Sequence, residues 1–198
     1  MLVARWPGYI KQGSETTALV QIADVLPTFI EAAGGRVAAQ SLDGRSFLPV
    51  LMGKVTKHRD YVYGLHHNVP EGKPYPIRSI CDGQYHYLWN LQNKNAYHEK
   101  HIMVANSRLV WWPALVRAAE QSDRRAVFLM DSFRHRPVEE LYQVTNDPHE
   151  CQNLASDPAH EQVRLRLRQA LEAWMTDQKD PGSVLDSPEA FDKNQKGR

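Results

Sequence analysis

The feature that most constrains the fold is a strand–turn–helix pattern in the last third of the sequence. Residues 140–144 alternate between polar and apolar side chains, which predicts a short strand. The Asn146-Asp147-Pro148 triplet is a strong turn signal, because Asx side chains bond the local backbone and proline fixes φ. Asp157 and Pro158 then suit the cap and the first residue of a helix.

That closing helix is predicted from Pro158 to about Gln178, with its apolar residues on one stripe and arginines outside it. The stripe consists of Val163, Leu167, Ala170, Leu171, Trp174 and Met175. We expect it to pack against a sheet. Residues 179–198 are rich in Pro, Gly, Ser and charge, which predicts a loose tail.

The middle of the chain predicts further strands at residues 61–66, 77–81 and 85–89, with Asp82-Gly83 as a hairpin turn. Two short helices are predicted from Trp111 to about Ala119 and over 124–133. Trp111 and Trp112 are interpreted as core and lid packing, with a sugar-stacking platform as the less favoured alternative.

The first 54 residues predict one helical unit between Ala18 and Gly34, with Asp24 as its cap. Residues 2–8 are expected to be a short apolar strand stopped by a Pro-Gly turn. Residues 53–60 form a polar, lysine-rich linker, where we place a boundary.

The composition excludes several classes of protein. A net charge of +1 over 198 residues provides no strong positive electrostatic field that would attract nucleic acid or an anionic membrane. The sequence has no run near the roughly 18 apolar residues of a spanning helix, and no signal-peptide pattern. The two cysteines, Cys81 and Cys151, are interpreted as ordinary thiols, with a single disulfide between them as the alternative.

Several segments resemble the sulfatase family in content and in order. The run from Glu140-Leu141-Tyr142 through Asn153-Leu154 resembles its C-terminal signature, with Gln143 where an acidic residue is usual. The resemblance extends from residue 2 to about 178 and is greatest to N-sulfoglucosamine and heparan-type enzymes. The upstream segments that match are Arg5-Trp6-Pro7-Gly8, Asp24-Val25-Leu26-Pro27-Thr28, Asp43-Gly44-Arg45-Ser46 and Tyr85-His86-Tyr87.

The resemblance implies an α+β fold. Residues 1–54 are expected to be a helix and strand remnant of the α/β, alkaline-phosphatase-like sulfatase domain. Residues 60–178 are expected to form the C-terminal subdomain, a small antiparallel sheet packed by a long C-terminal helix. The strand at residues 2–6 would then expose an unpaired edge, so we expect either oligomers formed through that edge or a disordered first ~50 residues.

Sulfatases act through a formylglycine made within Cys/Ser-x-Pro-x-Arg, beside a calcium ion. Neither Cys81 nor Cys151 lies in that motif, and no Asp-Asp calcium pair precedes them. Asp24 and Asp43 are interpreted as a cap and a turn. Calcium and formylglycine are therefore expected in an N-terminal part outside this chain, and we assign no catalytic or metal-binding residue within it.

Substrate contact is the role that the resemblance leaves for this chain. His66, His67 and Asn68 lie at a predicted strand end, and Tyr75 and Arg78 follow the next loop, as in heparan-type sulfatases. Arg78 could pair bidentately with a sulfate or carboxylate. The alternative is that Arg78 pairs within the sheet and that the histidines are hydrogen-bonded loop residues. The spacing of His98 and His101 departs from H-E-x-x-H, which favours solvated loop residues over metal ligands.

Two functions follow from these expectations. The first is the C-terminal part of a sulfatase, a sulfuric ester or sulfamate hydrolase acting on sulfated glycans, inactive as this chain alone. The second is a stand-alone, non-catalytic module that binds sulfated glycans or associates with a sulfatase. The Glu-Leu-Tyr run disfavours a phosphatase or phosphodiesterase of the same superfold. The resemblance to sulfatases implies a periplasmic or extracellular location.

Overall fold

The computed structural model describes residues 2–36, 38, 42–69, 72–99, 101–103, 109–184 and 186–196. Its strands are β1 (Val62–His66), β2 (Ile77–Cys81), β3 (His86–Asn90) and β4 (Glu139–Tyr142). Its helices are α1 (Val25–Ala32), α2 (Leu48–Leu51), α3 (Trp111–Glu120), α4 (Arg124–Arg134), α5 (Glu161–Asp177) and α6 (Pro188–Lys196).

The four strands form one antiparallel sheet in chain order, β1-β2-β3-β4. At the turn between β2 and β3, Asp82 Oδ1 accepts hydrogen bonds from the backbone of Gln84 and Tyr85, at 2.9 and 2.7 Å. Gly83 has φ of +90°, a conformation that favours glycine. The predicted strands and hairpin are therefore confirmed. β4 ends earlier than predicted, because the Gln143 carbonyl already accepts the turn hydrogen bonds of residues 146 and 147.

The long helix α5 covers one face of the sheet, as its stripe predicts. Asp157 caps the 3₁₀ turn that leads into it by accepting a hydrogen bond from Ala159 N at 2.9 Å. Trp174 stacks on Tyr63 with ring centroids 4.6 Å apart. The core of this face consists of five fully buried residues, Ile80, Tyr87, Leu141, Leu167 and Leu171.

A conservative truncation tests this core. Replacing Ile80 by valine removes one buried methylene, and we expect the free energy of unfolding to fall by about 1 kcal/mol. Ile22→Val is the matched control, because Ile22 is 89% exposed and should change little. Urea denaturation of both variants measures the difference. Equal effects from the two substitutions would contradict the assigned core.

The opposite face of the sheet is covered by α3 and α4, which lie in the long connection between β3 and β4. Trp112 is buried and lies against Phe133, with ring centroids 5.9 Å apart, while Trp111 stays 43% exposed. Buried residues of this cluster are Tyr75, Ile77, Leu88, Tyr97, Met103, Trp112 and Tyr142. A small antiparallel sheet between helices confirms the α+β fold class.

The first residues differ from the predicted strand. Within the part of the chain that the structure describes, residues 2–6 form no strand, and residues 2–5 are exposed. The predicted Pro-Gly turn is present, since Tyr9 N donates to Trp6 O at 3.1 Å and the two rings stack. An apolar pattern needs a neighbouring strand to accept its backbone hydrogen bonds, and no described strand lies beside these residues.

Asp24 stands at the cap position of α1, as predicted, but its side chain makes no capping hydrogen bond to that helix and has other partners. Its fully buried carboxylate is paired with Arg59 and accepts hydrogen bonds from the backbone of Gln21 and Arg45, both at 2.9 Å. Gly44 permits this approach, because a Cβ there would lie 1.9 Å from the Ala23 carbonyl oxygen. Asp24 therefore ties α1 to the linker over 53–60, and the boundary placed in that linker stays a prediction.

The segment after α5 also differs from the predicted loose tail. Asp186 is fully buried and the side chain of Asp180 is 4% exposed. Helix α6 follows, and its first turn is closed by Ser187 Oγ, which accepts from Ala190 N at 3.2 Å. A polar composition predicts disorder only when no partners satisfy the polar groups. Here Asp186 accepts hydrogen bonds from the loop between β1 and β2, and Asp180 pairs with Arg78 of β2.

Candidate substrate-contacting edge

The five predicted contact residues lie around one end of the β1–β2 hairpin. Antiparallel pairing sets His66 opposite Ile77, so the residues after β1 and before β2 meet at the same edge of the sheet. His67 and Arg78 contact each other directly, with Nε2 and Nη2 2.8 Å apart. The structure therefore brings the predicted residues into one neighbourhood, although they differ in exposure.

Arg78 is fully buried and its donors are used within the chain. Its guanidinium forms a bidentate pair with Asp180, in which Nη2 lies 2.8 Å from Oδ1. Nη2 also donates to the Gly182 carbonyl at 2.9 Å, and Nη1 donates to the Ile77 carbonyl at 2.9 Å. The bidentate partner is therefore a carboxylate of the chain itself.

Asn68 is also buried and shapes the loop. Its Nδ2 donates to the carbonyls of Lys73 and His98, at 2.6 and 2.8 Å, while its backbone N–H donates to Asp186 Oδ2 at 3.0 Å. The same carboxylate accepts the backbone N–H groups of Val69 and Tyr75, both at 2.8 Å. These contacts fix the path of the loop on both sides of Asn68.

His66 and Tyr75 belong to the aromatic core beneath the loop. The Tyr97 ring lies 5.6 Å from the ring of His66 and 5.1 Å from that of Tyr75. Burial lowers the pKa of His66 and raises the pKa of Tyr75 to about 12. Both side chains are therefore neutral at pH 7. His66 Nε2 is buried and has no hydrogen-bond partner among the described residues.

His67 is only partly buried, and its hydrogen bond defines its tautomer. A guanidinium can only donate, so the Arg78 contact requires an unprotonated Nε2 on His67. Burial and the charge of Arg78 lower the pKa of His67, which favours this neutral form. The proton then lies on Nδ1, which bonds to no described residue. His67 can therefore offer one N–H donor to an anion.

The sequence patterns do not predict two residues at this edge, Asp180 and Asp186. Both lie in the segment that composition assigns to a loose tail. Asp186-Ser187-Pro188 is a helix-start signal that could have indicated structure there. The sequence does not indicate which residues these two carboxylates contact.

Away from the hairpin end, a concave surface lies between α4, β4 and the turn at 149–153, with a volume of about 520 Å³. Arg136 lines it, but Arg136 Nε already donates to Glu140 Oε1 at 2.8 Å. Burial opposes the charge of Glu140, yet its bonds to Arg136, Tyr142 and Asn90 hold its pKa below the ordinary value. The cleft is the competing location for a ligand.

Among the described residues, no three His, Cys, Asp or Glu side chains converge as metal ligands would. Cys81 and Cys151 are free thiols. Within the same described part of the chain, no helix combines the length and apolarity needed to cross a membrane.

Comparison with known proteins decides the family. The model for the C-terminal region of N-sulphoglucosamine sulphohydrolase matches residues 1–107, more than half of the chain. The chain belongs to this family. The match includes β1, β2, β3 and all five residues of the candidate edge.

Characterised relatives of the chain are also sulfatases. An ulvan-active sulfatase of Formosa agariphila is 36% identical over 180 residues, covering 90% of this chain and 33% of the relative. The human N-sulphoglucosamine sulphohydrolase is 27% identical over 179 residues, covering 85% of this chain and 34% of the human protein. The chain thus spans about a third of the length of these sulfatases and corresponds to their C-terminal portion.

Solved structures show the same fold. A 2-O GAG sulfatase superposes with a TM-score of 0.53 at 25% identity, covering 79% of this chain and 25% of that protein. A structure solved in complex with D-glucosamine-2-N,6-O-disulfate superposes with a TM-score of 0.60 at 20% identity, covering 90% of this chain and 28% of that one. The second likeness shows the fold alone.

Proposed function

We propose that this chain is the C-terminal part of a sulfatase that hydrolyses sulfuric esters or sulfamates on sulfated glycans, and that it is inactive alone. The observation that carries the proposal is the family match over residues 1–107 in a sequence without the Cys/Ser-x-Pro-x-Arg motif. The nucleophile and the calcium site would then come from the portion of a sulfatase outside this chain.

The apolar surface of the first helical unit supports contact with such a portion. Ile22, Leu26 and Phe29 are 89%, 55% and 68% exposed, and their spacing places them on one face of the 3₁₀ turn and α1. Grouped apolar side chains at a surface mark an interaction site more often than scattered ones. A further part of a sulfatase would cover this face.

The role proposed for the chain in that enzyme is to supply one wall of the glycan site. His67 would donate from Nδ1 to a sulfate or carboxylate oxygen, and His66 would flank it. Asn68, Tyr75 and Arg78 would hold the loop rather than touch the glycan, because their polar groups are buried.

The inactivity of the isolated chain is tested by sulfate release. We expect no release above the protein-free rate from N-sulfated or O-sulfated glucosamine with calcium present, because the sequence offers no formylglycine precursor. Ion chromatography of free sulfate measures it. Release that persists after repurification and scales with chain concentration would contradict the proposal.

Glycan contact is tested on a heparin column. We expect the chain to be retained at low salt, and His67→Ala to weaken heparin affinity roughly tenfold, because one hydrogen bond to a charged group is lost. His149→Ala is the comparison variant, since His149 is exposed and lines the competing cleft beside α4, away from the hairpin end. Retention without sulfate release also fits a stand-alone glycan-binding module. No retention, or equal losses in both variants, would remove the proposed glycan contact.

A further inference from the structure

The buried carboxylate of Asp186 lies in a ring of backbone donors from the β1–β2 loop. It accepts hydrogen bonds from Asn68 N and Tyr75 N at Oδ2 and from Val69 N at Oδ1, at 3.0, 2.8 and 2.8 Å. Asp186 is fully buried. These donors flank the loop on both sides, although they are more than a hundred residues away in sequence.

The chemistry of this contact requires a carboxylate. Both of its oxygens accept, so it can satisfy three N–H groups at once. An asparagine of the same size would accept at one oxygen and direct its amide N–H₂ toward a backbone donor. Charge-assisted hydrogen bonds from backbone N–H are also stronger than neutral ones.

The same C-terminal segment holds the base of the loop at a second point. Asp180 pairs with Arg78, and the Gly182 carbonyl accepts from Arg78 Nη2 at 2.9 Å. Nη2 also holds His67 Nε2 at 2.8 Å. One short segment therefore bonds the loop backbone through Asp186 and holds Arg78, which in turn contacts the His67 ring.

We infer that Asp186 is a positioning residue, and that Asp180, Gly182 and Asp186 together act as a strap that fixes residues 67–69 and Tyr75 beside β2. Asp180 anchors the strap at Arg78, and Asp186 organises the loop backbone from beneath. The strap itself follows from these contacts alone. Its consequence for glycan affinity rests on the proposed function.

Hydrogen exchange in the full chain tests the strap. In Asp186→Ala we expect the amides of Asn68, Val69 and Tyr75 to exchange roughly tenfold faster or more, because each loses a charge-assisted hydrogen bond. The amides of the β2–β3 ladder should keep their wild-type rates. Asp186→Asn is the second variant, because it preserves side-chain volume and is the better folded choice if alanine prevents folding.

Heparin affinity provides a readout that a merely structural role would not change. Asp186→Asn and Asp192→Asn each remove one negative charge, and Asp192 is exposed, so the second gives the baseline for net charge. We expect Asp186→Asn to bind at least several-fold more weakly than Asp192→Asn, through misplacement of His67.

The outcomes separate the two proposals. Faster loop exchange with affinity equal to that of the control keeps the strap and removes the glycan contact. Unchanged exchange at the three amides, or an equal rise throughout the sheet in both Asp186 variants, overturns the strap.

Discussion

Arg78→Ala should lower the free energy of unfolding by about 4 kcal/mol at pH 7. Truncation leaves Asp180 as a buried carboxylate without its cation and frees the acceptors on His67 and Gly182. Removing one partner of a buried ion pair typically costs about 3–5 kcal/mol, since the remaining charge is uncompensated. Urea denaturation measures the loss.

Arg125→Ala is the control for this prediction, because Arg125 is exposed on α4 and should lose less than about 0.5 kcal/mol. The comparison separates the two interpretations of Arg78 that the sequence leaves open. A stable Arg78→Ala variant that merely loses heparin affinity would make Arg78 a ligand-binding residue. A large loss of stability would make it the residue that pairs the strap with the sheet.

Asp24→Asn should lower the free energy of unfolding by about 3 kcal/mol at pH 7. The substitution keeps the shape of the side chain but leaves Arg59 without its charged partner. The estimate is at the lower end for a broken buried pair, because Arg59 keeps 18% of its side chain in contact with solvent. Asp43→Asn is the control, because Asp43 is an exposed carboxylate in the adjoining segment.

The same pair predicts a specific pH dependence. Burial alone would raise the pKa of Asp24, but hydrogen bonds from Arg59 and from the backbone of Gln21 and Arg45 hold it well below its ordinary value. A carboxyl with a depressed pKa in the folded state stabilises the fold above its unfolded pKa of about 4, and this contribution is lost as the pH falls further. The wild-type chain should therefore lose more stability between pH 6 and pH 3 than Asp24→Asn does. Identical acid profiles would contradict the pairing.

Sequence patterns predict the structural features that depend on residues close together in the chain. The hairpin at Asp82-Gly83 and the stripe of α5 are local signals, and the structure confirms both. The strand predicted over residues 140–144 is present as β4, but it ends at Tyr142 and its last three residues are all buried rather than alternating. Asp180 and Asp186 could not be found in this way, because their partners lie over a hundred residues earlier. A carboxylate in a polar segment looks solvated until the fold brings donors to it.

The strand predicted at residues 2–6 also depends on residues distant in sequence, and in this case the required partner strand is absent from the described residues. Its apolar pattern is real, but a strand exists only where another strand accepts its hydrogen bonds. At the candidate edge, the structure brings the five predicted residues to one end of the β1–β2 hairpin, and their contact with substrate stays a prediction. Sequence could not predict that Asn68, Tyr75 and Arg78 are buried, whereas His67 is only partly buried.

The most direct test of the account is a titration of the chain with D-glucosamine-2-N,6-O-disulfate, followed by NMR chemical shifts. We expect the largest changes at the His67 ring and the Val69 amide, with smaller changes at His66. Shifts concentrated instead around His149 and Arg136, in the cleft beside α4, would contradict the assignment of this edge. So would the absence of any shift at millimolar ligand.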